Sequence, residues 1–155
     1  MSGFRLDGRT ALVTGASRGI GRAVAETYAA AGADVALLAR DAALLAEVAR
    51  AVEAHGRRAV VLPCDVTDPV AVGAAVASAT DALGRVDVLV NNAGGNSFST
   101  PLATMRFSGW EKTLRLNLDS IVHVTQAVLP QMLERRSGVV VNVASVAGLR
   151  GAPLM

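Results

Sequence analysis

Aromatic side chains are scarce in this sequence. Phe, Trp and Tyr make up 3% of its 155 residues, so the core must be assembled mostly from Ala, Val and Leu. Cysteine is scarcer still. Cys64 is the sole thiol, which excludes an internal disulfide and argues for a reducing compartment. Its place beside an apolar run marks it as a buried structural thiol. There is no run of Lys and Arg and no interleaving of aromatic with basic residues, so nucleic-acid binding is not indicated. Arg135-Arg136 reads as a solvated helix end. A net charge of +2 is too small for the pI near 9.3 to carry meaning. No apolar stretch reaches about 18 residues without a charge or a turn, so no membrane span is expected. Met1 to Gly8 lack the apolar segment of a signal peptide, and the cytoplasm is the expected location. His55 reads as a helix-terminal residue rather than a ligand, and no metal site is expected.

What is there is an ordered globular chain, 52% hydrophobic and 18% charged, of a length for one domain spanning 1–155. Apolar runs alternate with helical patterns across short joints, the signature of a parallel sheet covered on both faces. Strands are predicted at Thr10 to Val13, Asp34 to Ala39, Ala59 to Pro63, Val86 to Val90 and Val139 to Val143. A first helix should run from Gly19 to Ala31 and stop at Gly32. Asp41 should cap the second helix, and Asp68, followed by Pro69, the third. Asn96 to Phe107 reads as a surface loop. Ser108-Gly109-Trp110-Glu111 has the form of a capping box, opening a helix to about Arg136 with Pro130 as a bend. That helix carries an apolar stripe wide enough for full burial or for a subunit contact, Leu118, Val122 and Leu129 among it.

The chain is organised around Thr14-Gly15-Ala16-Ser17-Arg18-Gly19-Ile20-Gly21. A strand, a Gly-rich turn and a helix in that order make a phosphate cradle. Glycine lets the backbone approach a pyrophosphate, and the N–H groups and partial positive charge at the helix N-terminus attract the anion. The Gly-Lys-Ser/Thr ending of a P-loop is missing. In open parallel sheets ligands bind at the carboxyl ends of the strands. Those ends here carry Gly15, Arg40, Asp65, Asn91 and Ser145, a chemically coherent set.

These residues resemble the short-chain dehydrogenases/reductases. The match runs through Thr14-Gly15-x-x-x-Gly19-Ile20-Gly21, Asp65-Val66, Asn91-Asn92-Ala93-Gly94, Asn117 in Leu116-Asn117-Leu118, and Ser145. The resemblance implies a Rossmann-type, doubly wound α/β sheet and an oxidoreductase that reduces a ketone or oxidises a secondary alcohol. It implies that Gly15, Ser17, Arg18, Gly19, Ile20 and Gly21 hold the pyrophosphate side of the cofactor. Asp65 would hydrogen-bond the adenine with Val66 packed beside it, and Asn91, Ala93 and Gly94 would line the ribose side. Ser145 would hydrogen-bond the reacting oxygen. Asn117 would bend the long helix and hold a water of a proton relay. Where NAD-preferring members carry an acid, this sequence has Ala39, then Arg40. With Arg18 in the turn, that points to NADP(H), since a guanidinium matches phosphate oxygens and a carboxylate would repel them. Similarity is broadest to reductases of 3-oxoacyl thioesters and small ketones.

One element of the family pattern is not met. Its Tyr-x-x-x-Lys pair would follow strand 5, whereas these residues end at Ala152-Pro153-Leu154-Met155 and the only tyrosine is Tyr28. The expectation is a domain incomplete at its C-terminus, part of a longer reductase. The alternatives are a truncated product and an NADP-binding module without catalysis. A methyltransferase of similar fold leaves Asn91-Asn92-Ala93-Gly94 and Asn117 without a role. Family members form dimers and tetramers through the helix carrying Asn117, so a homo-oligomer is expected, with a small carbonyl or alcohol as substrate.

Overall fold

The computed structural model describes residues 4–96 and 100–150. Five short apolar runs become strands: β1 (Thr10–Thr14), β2 (Asp34–Ala39), β3 (Ala59–Pro63), β4 (Val88–Asn91) and β5 (Val139–Asn142). All pair in parallel in the order β3-β2-β1-β4-β5. The helices are α1 (Gly19–Ala30), α2 (Ala42–Glu53), α3 (Pro69–Leu83), α4 (Phe107–Leu114) and α5 (Ser120–Glu134), with α4 and α5 joined by a π-helical segment, Arg115–Asp119.

Alternation along the strands builds two cores. Ala11, Val13, Val35, Leu37, Val88 and Val90 face α1 and α2, where Ala25, Ala29, Leu45, Val48 and Val52 meet them. Leu12, Ala36, Leu38 and Leu89 face α3 and α5, against Val72, Val76, Ala79, Val124, Val128 and Met132. β3 and β5 are the edge strands of the described sheet, and β5 is exposed along its length, with Val139 at 54%.

Two carboxylates tie the opposite, N-terminal pole of the sheet. Asp34 accepts from Arg57 Nη2 (2.6 Å), Arg58 Nε (2.8 Å) and the Arg58 N–H (3.0 Å). Asp87 accepts from the Thr10 N–H (3.0 Å) and Arg85 Nε (3.0 Å). Burial pushes both carboxyls up, and these hydrogen bonds and arginine charges outweigh it, leaving each below the ordinary carboxylate range.

The predicted bounds of β2 and β3 match, as do the caps. Asp41 accepts from the Leu44 N–H, and Asp68 from those of Val70 and Ala71. Other expectations need correction. β4 starts at Val88 and takes in Asn91; β5 ends at Asn142. The capping box does not form. The Arg106 carbonyl accepts from both Gly109 and Trp110, so the first turn is already wound ahead of Ser108, and no side chain caps it. The segment read as a loop contains a 3₁₀ turn, Leu102–Thr104. Pro130 lies inside α5, and the long helix departs from α geometry in the π segment that holds Asn117. Full burial of its stripe is excluded, with Leu118 at 56%, Val122 at 45% and Leu133 at 65% exposure.

Candidate cofactor-binding and active site

Strand order reverses between β1 and β4: the chain leaves β1 toward β2 on one side and returns to β4 on the other. The carboxyl ends of the two strands therefore part, and a cleft of about 1220 Å³ opens above them. The expected site residues line this one cleft, with two exceptions, Gly21 and Asn91.

The Gly-rich turn forms its floor. Arg18 is the N-cap residue of α1 in extended conformation, and no side chain caps the helix, so first-turn N–H groups remain for an anion. Gly19 has φ +57°, and a Cβ there would meet nothing within 4 Å, so its missing side chain leaves room on the ligand side. Gly21 serves packing. A Cβ there would run into the Gly15 carbonyl and the Asn92 amide, so only glycine lets α1 start this close to the turn.

Sequence reasoning gave no role to Thr14 and Asn92, which fix the crevice. Thr14 Oγ1 donates to the Val90 carbonyl (3.3 Å) and accepts from the N–H groups of Asn92 and Ala93, both at 2.9 Å. Asn92 Nδ2 returns a hydrogen bond to the Thr14 carbonyl (2.9 Å). The ends of β1 and β4 are thus clamped at a set separation. The signal was a polar residue at the end of each adjoining apolar run.

Beyond β2 and β3 the lining carries charge: Arg18, Arg40, Asp41 and Asp65. Asp41 is occupied with capping α2 (Leu44 N–H, 3.0 Å). Asp65 accepts from the N–H (2.9 Å) and hydroxyl (2.8 Å) of Thr67. The Thr67 N–H does most to hold its carboxyl below the usual range; burial opposes, and the Thr67 hydroxyl and Arg40 assist. Burial, with Asp65 and Asp68 nearby, pushes the Cys64 thiol up and makes it a poor nucleophile.

Beyond β4 no charged residue is among the described residues that line the cleft. Asn117 lies in the π segment, and its amide pairs with both backbone groups of Gly95. Oδ1 accepts from the Gly95 N–H (2.9 Å); Nδ2 donates to the Gly95 carbonyl (2.8 Å) and to the Thr113 carbonyl (2.9 Å). The last bond takes up a helix carbonyl displaced by the widened turn. Ser145 follows β5, and its Oγ accepts from the Ala147 N–H (3.2 Å). That bond uses a lone pair and leaves the hydroxyl hydrogen free to donate into the cleft. Met105, Trp110 and Leu114 supply an apolar wall that sequence reasoning did not assign. Asn91 is turned away from the cleft, 3% exposed, with Nδ2 donating to Asn142 Oδ1 (2.9 Å) and Thr125 Oγ1 (3.1 Å), and the neighbouring Asn92 lines the cleft.

Among the described residues no group of His, Cys, Asp and Glu could hold a metal ion, and no helix is long and apolar enough to cross a membrane.

Comparison with known proteins agrees with this geometry. A fatty acyl-CoA reductase of Acinetobacter baylyi is 38% identical over 146 residues, 94% of this chain and 50% of the relative. A D-threitol dehydrogenase of Mycolicibacterium smegmatis is 41% identical over 148 residues, 93% of this chain and 55% of the relative. The crystal structure of carveol dehydrogenase from Mycobacterium avium in complex with NAD superposes with a TM-score of 0.94 at 32% identity, covering 98% of this chain and 60% of that one. The chain thus spans about half the length of the curated relatives it matches. A family model described as short chain dehydrogenase matches residues 9–155, and the chain belongs to that family.

Proposed function

We propose that the chain carries the cofactor site and part of the catalytic apparatus of an NADP-dependent oxidoreductase acting on a ketone or secondary alcohol. One observation carries the reading: a cradle for an anion, two guanidiniums with no hydrogen bond among the described residues, and a serine hydroxyl that donates to none of them share one cleft. The residues fit a dinucleotide. The open face of Gly19 and the uncapped start of α1 suit the pyrophosphate, and Asp65 suits a base that donates hydrogen bonds. Arg18 and Arg40 suit a 2′-phosphate beside Ala39, where no carboxylate stands. Bound NADPH would supply the hydride for reduction, and NADP⁺ would accept it from an alcohol.

The chain's own residues do the rest of the work. Negative charge builds on the carbonyl oxygen as it is reduced, and the Ser145 hydroxyl is the donor placed to meet it. Asn117 fixes Gly95 and so the wall opposite. Met105, Trp110 and Leu114 favour a substrate with an apolar, uncharged body near the reacting carbon, which accords with a 3-oxoacyl thioester or a simple ketone better than with a polyol. Among the described lining residues there is no tyrosine, lysine or histidine to deliver the proton. By themselves these residues bind NADP(H) without turnover. A dimer or tetramer assembled on α5, in the cytoplasm, belongs to the same reading.

Titration calorimetry with NADPH and NADH tests the cofactor assignment. Arg40→Ala should weaken NADPH about 10- to 100-fold, since a charge-assisted hydrogen bond contributes roughly 1.5–3 kcal/mol, and should leave NADH unmoved. Equal affinities of the parent for the two cofactors would refute NADP preference. In the full-length protein Ser145→Ala should lower kcat by about 10²–10³, the usual loss for one donor to a developing oxyanion.

A further inference from the structure

We propose that Asn91 is a positioning residue for Ser145, acting through Asn142 and the turn that leaves β5. The inference rests on the reading of Ser145 as donor to the reacting oxygen. β5 is an edge strand with β4 as its single partner among the described strands. Nothing on its far side holds its end, yet Ser145 follows only three residues after Asn142. Asn91 ties that end twice. Its carbonyl accepts from the Val143 N–H (2.9 Å), and its Nδ2 donates to Asn142 Oδ1 (2.9 Å), directly across the register. The second hydrogen of Nδ2 goes to Thr125 Oγ1 on α5 (3.1 Å). One planar amide therefore links β4, β5 and α5 with both its donors committed.

Past Val143 the hydrogen bonds found among the described residues are local: Ala147 N–H to Ser145 Oγ, Gly148 N–H to the Ser145 carbonyl, and the Leu149 and Arg150 N–H groups to the Val146 carbonyl. Among the described residues the Asn91 latch is the last hydrogen-bonded tie between the Ser145 turn and the rest of the fold. The Asn91 Oδ1 atom is buried with no partner among the described residues. An orphaned acceptor is a destabilising feature, so the residue's use lies in its donors. Asn91 lies outside the cleft, so its loss should not touch cofactor contacts.

The test is a double-mutant cycle in the full-length protein with NADPH and a ketone it reduces. Asn91→Ser keeps a small polar side chain that cannot span to Asn142, and Asn91→Leu removes the donors at similar size. Either should lower kcat about tenfold or more while the NADPH Kd stays within about twofold, and neither should add to the loss caused by Ser145→Ala, because residues acting through one group are not additive. Asn91→Asp should recover kcat to within about threefold, since the Thr125 hydroxyl and a rotated Asn142 amide can both donate to a carboxylate. Parent kcat in Asn91→Ser, a loss that multiplies with that of Ser145→Ala, or a kcat loss accompanied by an equal loss of NADPH affinity would each overturn the proposal. Asn91→Ser decides if Asn91→Leu does not fold. If Ser145→Ala itself turns over at the parent rate, the reading of Ser145 fails; if it collapses while Asn91→Ser does not, only the positioning role fails.

Discussion

At Gly21 an added methyl group would strike the Gly15 carbonyl and the Asn92 amide that clamps β1 to β4, and neither can move without opening the crevice. At Gly19, two residues earlier, a methyl would meet open space, although the backbone there is left-handed. The substitutions should separate accordingly. Gly21→Ala is expected to cost about 1–3 kcal/mol of stability, the range for overpacking, and to weaken cofactor binding with it. Gly19→Ala is expected to cost about 1–2 kcal/mol for the left-handed backbone, and whatever it does to binding should come from crowding the ligand itself. Urea unfolding with and without NADPH checks both. If Gly21→Ala matched the parent in stability and affinity, the close approach of α1 to the turn would not be needed. Which asparagine lines the cleft is a one-residue question. Reading β4 to Val90 puts Asn91 past the strand and into the cleft. With Asn91 inside β4 its side chain falls on the Leu89 side, toward Thr125 of α5, and Asn92 becomes the residue at the crevice.

Strands buried on both faces declare their own bounds in sequence, because a charged or turn residue must stand where cover ends. β2, buried throughout, is legible for that reason; β3, half-buried at the sheet edge, is bounded by Arg58 and by Pro63, and the caps Asp41 and Asp68 are legible because their bonds reach only two or three residues on. The break at Asn117 was legible only through family resemblance. It depends on an amide reaching Gly95, 22 residues away, and no local pattern encodes such a bond. The start of α4 differs because a side-chain cap contributes only about 1 kcal/mol, and the first turn is closed instead by the Gly109 and Trp110 N–H groups on the Arg106 carbonyl. The elements are also joined at the pole away from the cleft, where Asp87 binds the first N–H of β1. Its folded carboxyl lies below its unfolded value near 3.9, so its contribution is fully present above that value and is lost as pH falls through the folded one. Asp34 acts in the same window. Asp87→Asn is expected to cost about 1.5–3 kcal/mol at pH 7, as for a hydrogen bond to a charged group, and to flatten the fall in stability below about pH 4. Urea midpoints at pH 7 and pH 3 decide it, and an unchanged acid limb would show that Asp87 carries no pH-dependent stability.

At the scale of the whole molecule, the π segment and α5 expose large apolar side chains among the described residues. They include Leu118, Val122, Leu129 and Leu133. Burying one such side chain contributes about 1.5–3 kcal/mol, so leaving four in water is a sizeable loss that a second copy would recover. The sequence stripe already divides into two sets on the helix. Val124, Val128 and Met132 serve the chain's own core, and the exposed set faces away from it. An isologous pairing places Leu118, Val122 and Leu129 near a two-fold axis, where each substitution acts twice. Val122→Glu in the full-length protein would set two carboxylates against each other at that axis. It is expected to convert the assembly to a smaller species, while NADPH affinity, set in a cleft that Val122 does not line, stays within about twofold. Sedimentation equilibrium over a wide concentration range reads the outcome. A parent protein that stays monomeric at the highest concentration, or a Val122→Glu variant that assembles as the parent does, would remove α5 from the interface.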